Sequence, residues 1–322
     1  MHNKYLFTGI SSQLGKSYLR YLNTVSPEAK IIGLTSGTKT KEEYDELKSI
    51  NKNIELIKKP TGEKGLFQSL LSFYQPNVVA NFGALTSVGS SDLNVMDYLN
   101  INLLNSVELM EAVRSIDKSI RPVIINVSSS EIYSNTGFTS VSEDTCPCPR
   151  NAYGASKAAL NVYSNLYNSV YKVPIINMIT SNFISEYCGP HFIFGKVINY
   201  ILGEKDEKLK LGNTESVRDW MYVDDLIDAI ELLLKNKVYE SFCISSGNVS
   251  TVNGLIKACF EAAGIKNFKD YIDIDQSLYR KSDTEFIELD CSILKSLGWE
   301  PKYKLNAAIE KVLERKSCGK SF

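Results

Sequence analysis

The chain has little histidine and no set of residues suited to a zinc site. Only His2 and His191 occur among 322 residues, and neither has an obvious acidic partner of the kind that a Ser-His-Asp hydrolase requires. The seven cysteines are odd in number and scattered, and the CPCP segment at residues 146–149 has no second pair to complete a metal site. We therefore expect reduced thiols, no metal centre and a general base other than histidine.

An excess of charge and a long apolar run are also lacking. The 36 lysines and arginines balance 37 aspartates and glutamates, which leaves no overall field to attract nucleic acid or an anionic membrane. No stretch approaches the roughly 18 apolar residues of a membrane span, and the start of the chain lacks the apolar core of a signal peptide. We expect a cytoplasmic protein that binds neither nucleic acid nor membrane.

The apolar pattern predicts an α/β fold. Runs rich in β-branched residues alternate with helical periodicity, which is typical of a doubly wound parallel (Rossmann) sheet with a ligand crevice beyond the carboxyl ends of its strands. The predicted strands are KYLFTG, KIIGLT, NIELIKK, NVVANFG, RPVIINVSS and VPIINMITS, and the predicted helices cover residues 13–24, 41–50, 64–75, 93–117 and 150–172.

The alternation ends near residue 180, which predicts two lobes. We expect a dinucleotide-binding Rossmann domain at residues 1–180 and a smaller substrate-binding lobe at residues 181–322. The segment 215–246, with the strand-like SFCIS, is expected to return to the first domain. The chain has no repeats and no Pro/Gly-rich linker, so the two lobes should form one rigid unit.

The segment FTGISSQLG, at the end of the first predicted strand, is a candidate phosphate-binding loop. Gly9 and Gly15 occupy two positions of a G-x-x-G-x-x-G pattern, which lets a pyrophosphate approach the amino terminus of the following helix, and Ser12 stands at the middle position. Serine fits there only if its φ angle is negative. We expect Gln13 and Leu14 to contribute to the same site; the alternative is a tight turn without a ligand.

The end of the second predicted strand bears on the choice of cofactor. An NAD site usually has an acidic residue here for the ribose hydroxyls, and GLTSGTKTK has none. Thr35, Ser36 and Lys39 instead suit a 2′-phosphate, as do Lys58 and Lys59 after the third strand. Of NADP and NAD, this favours NADP; in the alternative interpretation the lysines are only a solvated rim.

Four reactive side chains are expected at one edge of the sheet. Ser129 and Glu131 follow the fifth predicted strand, and Tyr153 and Lys157 begin the next helix. Tyrosine has a pKa of about 10, so a nearby ammonium must favour its phenolate before it can accept a proton. Ser129 would hold the substrate hydroxyl while Tyr153 takes its proton. The same Tyr-x-x-x-Lys spacing recurs at residues 44–48, where it begins an ordinary charged helix.

Several segments of the chain agree in order and spacing with one enzyme family. They are TGISSQLG, NFGA, SSSEIY, AYGASK, NFISEYCGPHFIFGK, LGNTESVRDW, YRKSDTEFIELD and LGW, and together they cover nearly the whole length. In these segments the chain resembles the extended short-chain dehydrogenase/reductase family, and in particular the sugar-nucleotide 4,6-dehydratases of the GDP-mannose 4,6-dehydratase type. It departs from them at four points: Ser129 stands where a threonine is usual, Gly195 replaces a basic residue, the pair of arginines of the family's NADP loop is missing at LTSGTK, and Lys59 stands where an aspartate is usual.

The resemblance implies an NAD(P)-dependent enzyme whose partner is a nucleotide-diphosphate sugar. It implies that Asn81, Gly83 and Ala84 contact the cofactor together with Tyr153 and Lys157. The residues that it implies for the sugar nucleotide are Ser130, Asn182, Lys196, Arg218, Arg280 and Asp283. It also implies a homodimer formed by the helices at residues 93–117 and 150–172, with a homotetramer as the alternative.

Glu131 decides which reaction the resemblance implies. After oxidation at C4, its carboxylate could remove the C5 proton and then protonate the departing C6 hydroxyl. The expected reaction is therefore the 4,6-dehydration of GDP-mannose or a GDP-manno-heptose. The alternatives are an NDP-sugar C4 dehydrogenase, reductase or epimerase that loses no water, and a binding protein that has kept the fold without turnover.

Overall fold

A computed structural model describes residues 3–59, 62–205, 207–279 and 286–318 of the chain. The strands are β1 (Lys4–Thr8), β2 (Lys30–Thr35), β3 (Ile54–Lys58), β4 (Val78–Asn81), β5 (Val123–Val127), β6 (Ser140–Val141), β7 (Ile175–Thr180), β8 (Asn182–Ile184), β9 (Leu209–Leu211), β10 (Val217–Tyr222), β11 (Ser241–Ile244), β12 (Val249–Thr251), β13 (Ile272–Ile274) and β14 (Glu288–Leu289). The α-helices are α1 (Gln13–Val25), α2 (Lys41–Ile50), α3 (Leu66–Tyr74), α4 (Val88–Ser91), α5 (Val95–Tyr98), α6 (Asn105–Arg114), α7 (Ala152–Ser169), α8 (Ile193–Leu202), α9 (Val223–Asn236), α10 (Val252–Ala262), α11 (Ser292–Ser296) and α12 (Leu305–Cys318). A π-helix covers Leu99–Leu104, and 3-10 helices cover Lys118–Ile120, Ser130–Tyr133, Phe268–Tyr271 and Gln276–Leu278.

A seven-stranded parallel sheet forms the centre of the fold. Its strand order is β3-β2-β1-β4-β5-β7-β11, which is the doubly wound arrangement that the sequence predicts. The six predicted strands are all present, and the SFCIS segment supplies β11 at one edge. The order reverses between β1 and β4, and ligands of such sheets bind at this switch point beyond the carboxyl ends.

Each face of the sheet is covered by helices, as the apolar strands require. On β1, Phe7 points into the larger hydrophobic cluster and Leu6 into the smaller one, and both side chains are completely buried. Successive side chains of a strand point to opposite faces, so one short strand contributes to both layers. This double burial holds the strand ends, and the loops that follow them, in place.

Residues beyond 180, together with β6, form three smaller sheets in the described part of the chain. Strand β10 pairs in parallel with β8 and antiparallel with β12, and β13 pairs with β9 and β14 with β6. Helix α9 and strand β11 return the chain to the main sheet. The division into two domains at residue 180 stays a prediction. In the part of the chain that the structure describes, no helix is long and apolar enough to span a membrane.

The helix predicted over residues 93–117 differs from expectation. It is divided into α5, the π-helix and α6 and ends at Arg114. A π-helical turn adds a residue to the helical circuit and shifts the side chains that follow it. Periodicity alone does not reveal such an insertion, because the apolar pattern continues on both sides of it.

Candidate active site

The carboxyl ends of the parallel strands open into a cavity of about 330 Å³. Its walls come from the loop after β5, the start of α7, the segment after β7 and strand β10. Among the residues that line it are Gln13, Ser129, Glu131, Tyr153, Asn182 and Arg218. The cavity therefore brings together side chains that are up to about two hundred residues apart in the chain.

The glycine loop after β1 has the close backbone approach that a phosphate-binding loop needs. Gly9 has a φ of +60°, and a Cβ atom on it would lie 2.5 Å from the Cα of Gly83. A Cβ atom on Gly15 would lie 2.5 Å from the carbonyl oxygen of Gly9. Real Cβ atoms essentially never approach other atoms within 3.0 Å, so both positions require glycine. The resulting cradle at the amino terminus of α1 fits a dinucleotide pyrophosphate.

Ser12 satisfies the condition that the sequence placed on it. Its φ is −69°, and its side chain accepts a hydrogen bond of 3.0 Å from the backbone N–H of Gly15 as the N-cap of α1. Gln13 lines the cavity, and its amide donates to the carbonyl oxygen of Phe183 at 3.0 Å. The side chain of Leu14 is buried in the core, so only its backbone is available to the loop.

The groups proposed for the adenosine end of the cofactor have local partners. Thr35 is buried, and its hydroxyl lies 3.0 Å from that of Tyr44. The hydroxyl of Ser36 lies 2.8 Å from that of Thr38. The three lysines are engaged as follows: Lys39 with Glu43 at 2.8 Å, Lys58 over the Tyr44 ring at 4.1 Å, and Lys59 with Glu63 at 2.9 Å. Exposed pairs of this kind are weak and can exchange for a bound phosphate.

Asn81 connects the ends of three neighbouring elements. Its Oδ1 accepts a hydrogen bond of 2.8 Å from Thr8, and its Nδ2 donates to Asn126 at 2.8 Å and to Ser106 at 3.0 Å. The Thr8 hydroxyl in turn accepts from the N–H of Gly83 at 3.1 Å. The side chain of Asn81 thus holds the loop that faces Gly9. The next residue of that loop, Ala84, lines a neighbouring cavity that opens beside α5.

The reactive pair on α7 is buried. Tyr153 is 8% exposed and Lys157 is 4% exposed, and their four-residue spacing puts both on the same helix face. The ammonium of Lys157 donates to the carbonyl oxygen of Val127 at 2.7 Å, which links α7 to the end of β5. The ring of Tyr98 meets that of Tyr153 edge to face at a centroid distance of 6.3 Å.

Burial is the main influence on the acidity of both groups. It raises the pKa of Tyr153 to about 12, although a hydrogen bond with the Ser129 side chain lowers this pKa and the charge of Glu131 raises it further. Burial also lowers the pKa of Lys157 to about 8. The free protein therefore holds Tyr153 as a phenol at neutral pH, and proton transfer needs added positive charge beside it.

Glu131 lies on the 3-10 turn that follows Ser129. The Ser129 hydroxyl caps this turn by accepting a hydrogen bond of 3.2 Å from the N–H of Glu131. The Oε2 atom of Glu131 accepts a hydrogen bond of 3.2 Å from the side-chain amide of Asn151. Ser129, Glu131 and Tyr153 all line the main cavity. A hydroxyl, a carboxylate and a phenol therefore face the same space.

The residues proposed for the sugar nucleotide are placed differently from one another. Asn182 and Arg218 line the main cavity, and together with Ser130 they line a small cavity next to Glu131. The ammonium of Lys196 instead donates to the carbonyl oxygen of Lys210 at 2.5 Å, and Lys196 is not among the residues that line the main cavity. The predictions for Arg280 and Asp283 lie outside the described residues.

Two residues beside the site were not identified from the sequence. Asn102, on the π-helix, is buried; its Oδ1 accepts from the N–H of Leu85 at 2.8 Å, and its Nδ2 donates to the carbonyl oxygen of Leu85 and to the Ser156 hydroxyl, both at 3.0 Å. It thereby ties the loop after β4 to α7. His191 lines both the main cavity and the one beside α5. A polar residue within the apolar run INLLNS was the signal available for Asn102.

The second Tyr-x-x-x-Lys segment has a different setting. Tyr44 is buried with its hydroxyl at Thr35, whereas Lys48 is exposed on α2. Neither residue lines the main cavity. The two segments share the Tyr-x-x-x-Lys spacing, but only the one at residues 153–157 has its tyrosine in the main cavity.

The chain is similar in sequence to sugar-nucleotide 4,6-dehydratases. A sequence model described as GDP-mannose 4,6 dehydratase matches residues 6–312. GDP-mannose 4,6 dehydratase 2 of Arabidopsis thaliana is 29% identical over 247 residues, which are 74% of this chain and 65%, just under two thirds, of that protein. A dTDP-glucose 4,6-dehydratase of Xanthomonas campestris is 27% identical over 327 residues, with 96% of this chain and 92% of that protein covered.

Two solved structures have the same fold. A dTDP-glucose 4,6-dehydratase from Bacillus anthracis in complex with NAD aligns with a TM-score of 0.83 at 22% identity, covering 99% of this chain and 98% of the other. A UDP-glucose 4-epimerase from Thermotoga maritima with UDP-glucose also aligns with a TM-score of 0.83 at 22% identity, covering 98% of this chain and 99% of the other. At this identity the structural agreement establishes the fold.

Proposed function

The chain belongs to the GDP-mannose 4,6 dehydratase family, and from this premise we propose that it catalyses the 4,6-dehydration of a nucleotide-diphosphate sugar. The substrate that we propose is GDP-mannose or a GDP-manno-heptose. The observation that carries the proposal is the convergence of Ser129, Glu131 and Tyr153 on one cavity that Asn182 and Arg218 also line. A simple alcohol oxidation would need only two of these three groups.

The first step is oxidation at C4. The hydroxyl of Ser129 holds the C4 hydroxyl of the sugar, and Tyr153 accepts its proton. Burial opposes the phenolate, so a cation must favour it, and Lys157, one helical turn further on, can supply this charge. A bound nicotinamide dinucleotide would supply the acceptor for the hydride from C4 and later its donor to C6.

The second step is the loss of water. A C4 ketone acidifies the C5 proton, and the carboxylate of Glu131 removes it as the C5–H bond breaks. The C6–O bond then breaks, and the departing hydroxide takes the proton that Glu131 now carries, which releases water. Delivery of the hydride to C6 requires a proton at C5, and the proton that Tyr153 accepted from the C4 hydroxyl balances it and restores the phenol. Because the carboxylate, the phenol and the cofactor's oxidation state would all be restored, the sequence is redox-neutral and the product is a 4-keto-6-deoxy sugar nucleotide.

The cofactor site fits a nicotinamide dinucleotide. The cradle formed by Gly9, Gly15 and Gly83 would hold its pyrophosphate, because the backbone there approaches more closely than any side chain would allow. NAD is supported by its presence in the Bacillus anthracis enzyme. The preference for NADP, drawn from Ser36 and the nearby lysines, stays a prediction. Titration of the protein with NAD and with NADP, followed by protein fluorescence, decides between them.

The nucleotide and the reaction are tested together by incubation with GDP-, CDP-, UDP- and dTDP-sugars and mass analysis of each product. Our proposal requires a GDP-sugar to lose the mass of one water. The relatives that act on dTDP-glucose make dTDP-sugars the informative comparison. Dehydration of a dTDP-sugar but not of GDP-mannose would overturn the proposed substrate and leave the reaction intact.

A C4 epimerase is the second candidate, because a UDP-glucose 4-epimerase shares the whole fold. In this case Ser129 and Tyr153 would serve hydride transfer in the same way, and Glu131 would not act as a base at C5. The product would have an unchanged mass and an altered C4 configuration. A gain or loss of two hydrogens would instead indicate a simple C4 reductase or dehydrogenase.

We also propose a homodimer. Large apolar side chains are exposed on α7, at the residue that follows it and on the π-helix before α6, where burial against a second copy is favourable. They are Leu104 (55% exposed), Val162 (57%), Leu166 (38%) and Val170 (60%). Light scattering of wild type and of Val162→Glu tests this: the wild type should have twice the mass of the chain, and the variant should dissociate. A homotetramer and a cytoplasmic location stay predictions.

A further inference from the structure

We propose that Asn151 is a positioning residue that holds the carboxylate of Glu131 against the start of the helix carrying Tyr153. The inference rests on the proposed dehydratase function, in which Glu131 transfers the C5 proton. Asn151 is only 6% exposed and does not line the main cavity. Its effect on the reaction therefore has to pass through the residues that it contacts.

The two ends of the Asn151 amide have separate tasks. Its Oδ1 accepts a hydrogen bond of 2.7 Å from the N–H of Gly154 and so caps α7. Its Nδ2 donates to Oε2 of Glu131 at 3.2 Å. Since an amide has one acceptor atom and one donor group, capping with the oxygen turns the donor toward the carboxylate. The helix cap thus also fixes the direction of the hydrogen bond to Glu131.

Gly154 completes this arrangement. A Cβ atom on it would lie 2.7 Å from the carbonyl oxygen of Glu131 and 3.0 Å from the Cβ of Pro149. Its φ angle lies outside the left-handed region. Glycine is therefore required here because a side chain would clash with its neighbours, and not because of the backbone conformation. The 3-10 turn that carries Glu131 therefore packs directly on the first turn of α7.

These contacts hold two reactive groups from different elements in one geometry. Tyr153 lies between Asn151, the N-cap of α7, and Gly154 in its first turn, and both of these neighbours contact Glu131. Tyr153, which acts at C4, and Glu131, which acts at C5, are thus both held by the amino terminus of α7. A hydrogen bond to one carboxylate oxygen removes the rotational freedom of the other, which is the condition for efficient proton transfer.

Three substitutions separate positioning from capping. Asn151→Ser keeps an acceptor for the cap and removes the amide N–H that reaches Glu131, because the serine hydroxyl is one bond nearer the backbone than Nδ2. Asn151→Asp also keeps the cap but places a carboxylate oxygen against Glu131, where the two negative charges repel. Asn151→Ala removes both functions. Asn151→Ser should keep the thermal stability of the wild type, whereas Asn151→Ala should unfold at a lower temperature.

The readouts are taken in the first turnover with GDP-mannose in deuterated water. In Asn151→Ser, oxidation at C4 should proceed while water loss and deuterium uptake at C5 slow about tenfold or more, as expected for a lost hydrogen bond to a charged group. Reduced nicotinamide should then accumulate, and its near-ultraviolet absorbance measures the amount. Asn151→Asp should show the same pattern more strongly.

Each result has one interpretation. If Asn151→Ser lost water at the wild-type rate without accumulating reduced nicotinamide, the positioning role would be wrong, and the proposed function would stand. A loss of activity in Asn151→Ala alone, together with its lower stability, would assign Asn151 to helix capping only. If the wild type itself turned over without losing water, both the proposed function and this inference would fall.

Discussion

A Cβ atom on Gly195 would overlap the carbonyl oxygen of Gly189 and would lie 2.5 Å from the carbonyl oxygen of Cys188. The first turn of α8 therefore packs against the backbone of the loop before it, and Cys188 and the residues from 191 to 194 line the main cavity. The family resemblance implies a basic residue at position 195, where this chain has glycine. The contact with the backbone of residues 188 and 189 leaves no room for any side chain at position 195. A basic side chain there is therefore incompatible with the position of this part of the cavity wall.

Gly195→Ala should lower the free energy of unfolding by about 1–3 kcal/mol, the usual cost of overpacking, although alanine favours helices more than glycine does. Urea unfolding measures the change. Gly89→Ala is the matched control, because it also lies in a helix but has open space around its Cβ position. Equal stability of the two variants would show that the 188–192 segment moves freely.

Tyr153→Phe should reduce kcat by about 100- to 10,000-fold, because it removes the group that accepts the C4 proton. The buried ring and its contact with Tyr98 are kept, so the unfolding temperature should change little. Tyr200→Phe, which removes a hydroxyl bonded to the carbonyl oxygen of Glu207, serves as the control and should keep wild-type kcat. A comparable kcat in Tyr153→Phe would exclude this residue as the proton acceptor.

Lys157 should make stability depend on pH. Burial lowers its pKa from 10.5 to about 8, so between these values the unfolded chain binds more protons than the folded one, and the free energy of unfolding rises with pH. Below about pH 8 the ammonium is charged in both states, and the folded protein carries the full cost of burying it. A pKa lowered by about 2.5 corresponds to roughly 3 kcal/mol.

Urea unfolding of wild type and Lys157→Met at about pH 7.5 and about pH 10 checks this expectation. The variant has no ionisable group at the position, so its stability advantage over wild type should shrink by a few kcal/mol as the pH rises. Lys48→Met, at the exposed lysine of the other Tyr-x-x-x-Lys segment, should follow the wild type at both pH values. A constant difference between wild type and Lys157→Met would contradict the lowered pKa.

Arg218→Lys should raise the KM for the nucleotide sugar about tenfold and change kcat less, because lysine cannot offer the forked pair of donors that a diphosphate accepts. Arg218 is well placed for this, since it lines both the main cavity and the small cavity next to Glu131. Steady-state kinetics at saturating cofactor provide the test. Arg114→Lys, on the exposed ion pair with Glu111, should leave both constants unchanged; an equally small effect at Arg218 would remove it from the substrate site.

The sequence by itself determined the parallel sheet and most of the cavity. The strands are continuous apolar runs, and such runs can be recognised without knowing their neighbours. Because the carboxyl ends of parallel strands meet at one edge, the order of motifs was enough to bring Ser129 and Glu131 to Tyr153. The glycine loop could also be predicted from the sequence, because its glycines meet local conditions: Gly9 has a positive φ angle, and Gly15 packs against the carbonyl oxygen of Gly9.

Only the tertiary structure decided which polar groups hold the site together. The contact of Asn151 with Glu131 spans 20 residues, and that of Asn102 with Leu85 spans 17 and depends on a π-helical turn. Lys196 keeps its place in the motif, yet its ammonium bonds to Lys210. Hydrogen bonds need distances near 3 Å and defined angles, and those are set by how separate elements pack, which no local pattern of residues contains.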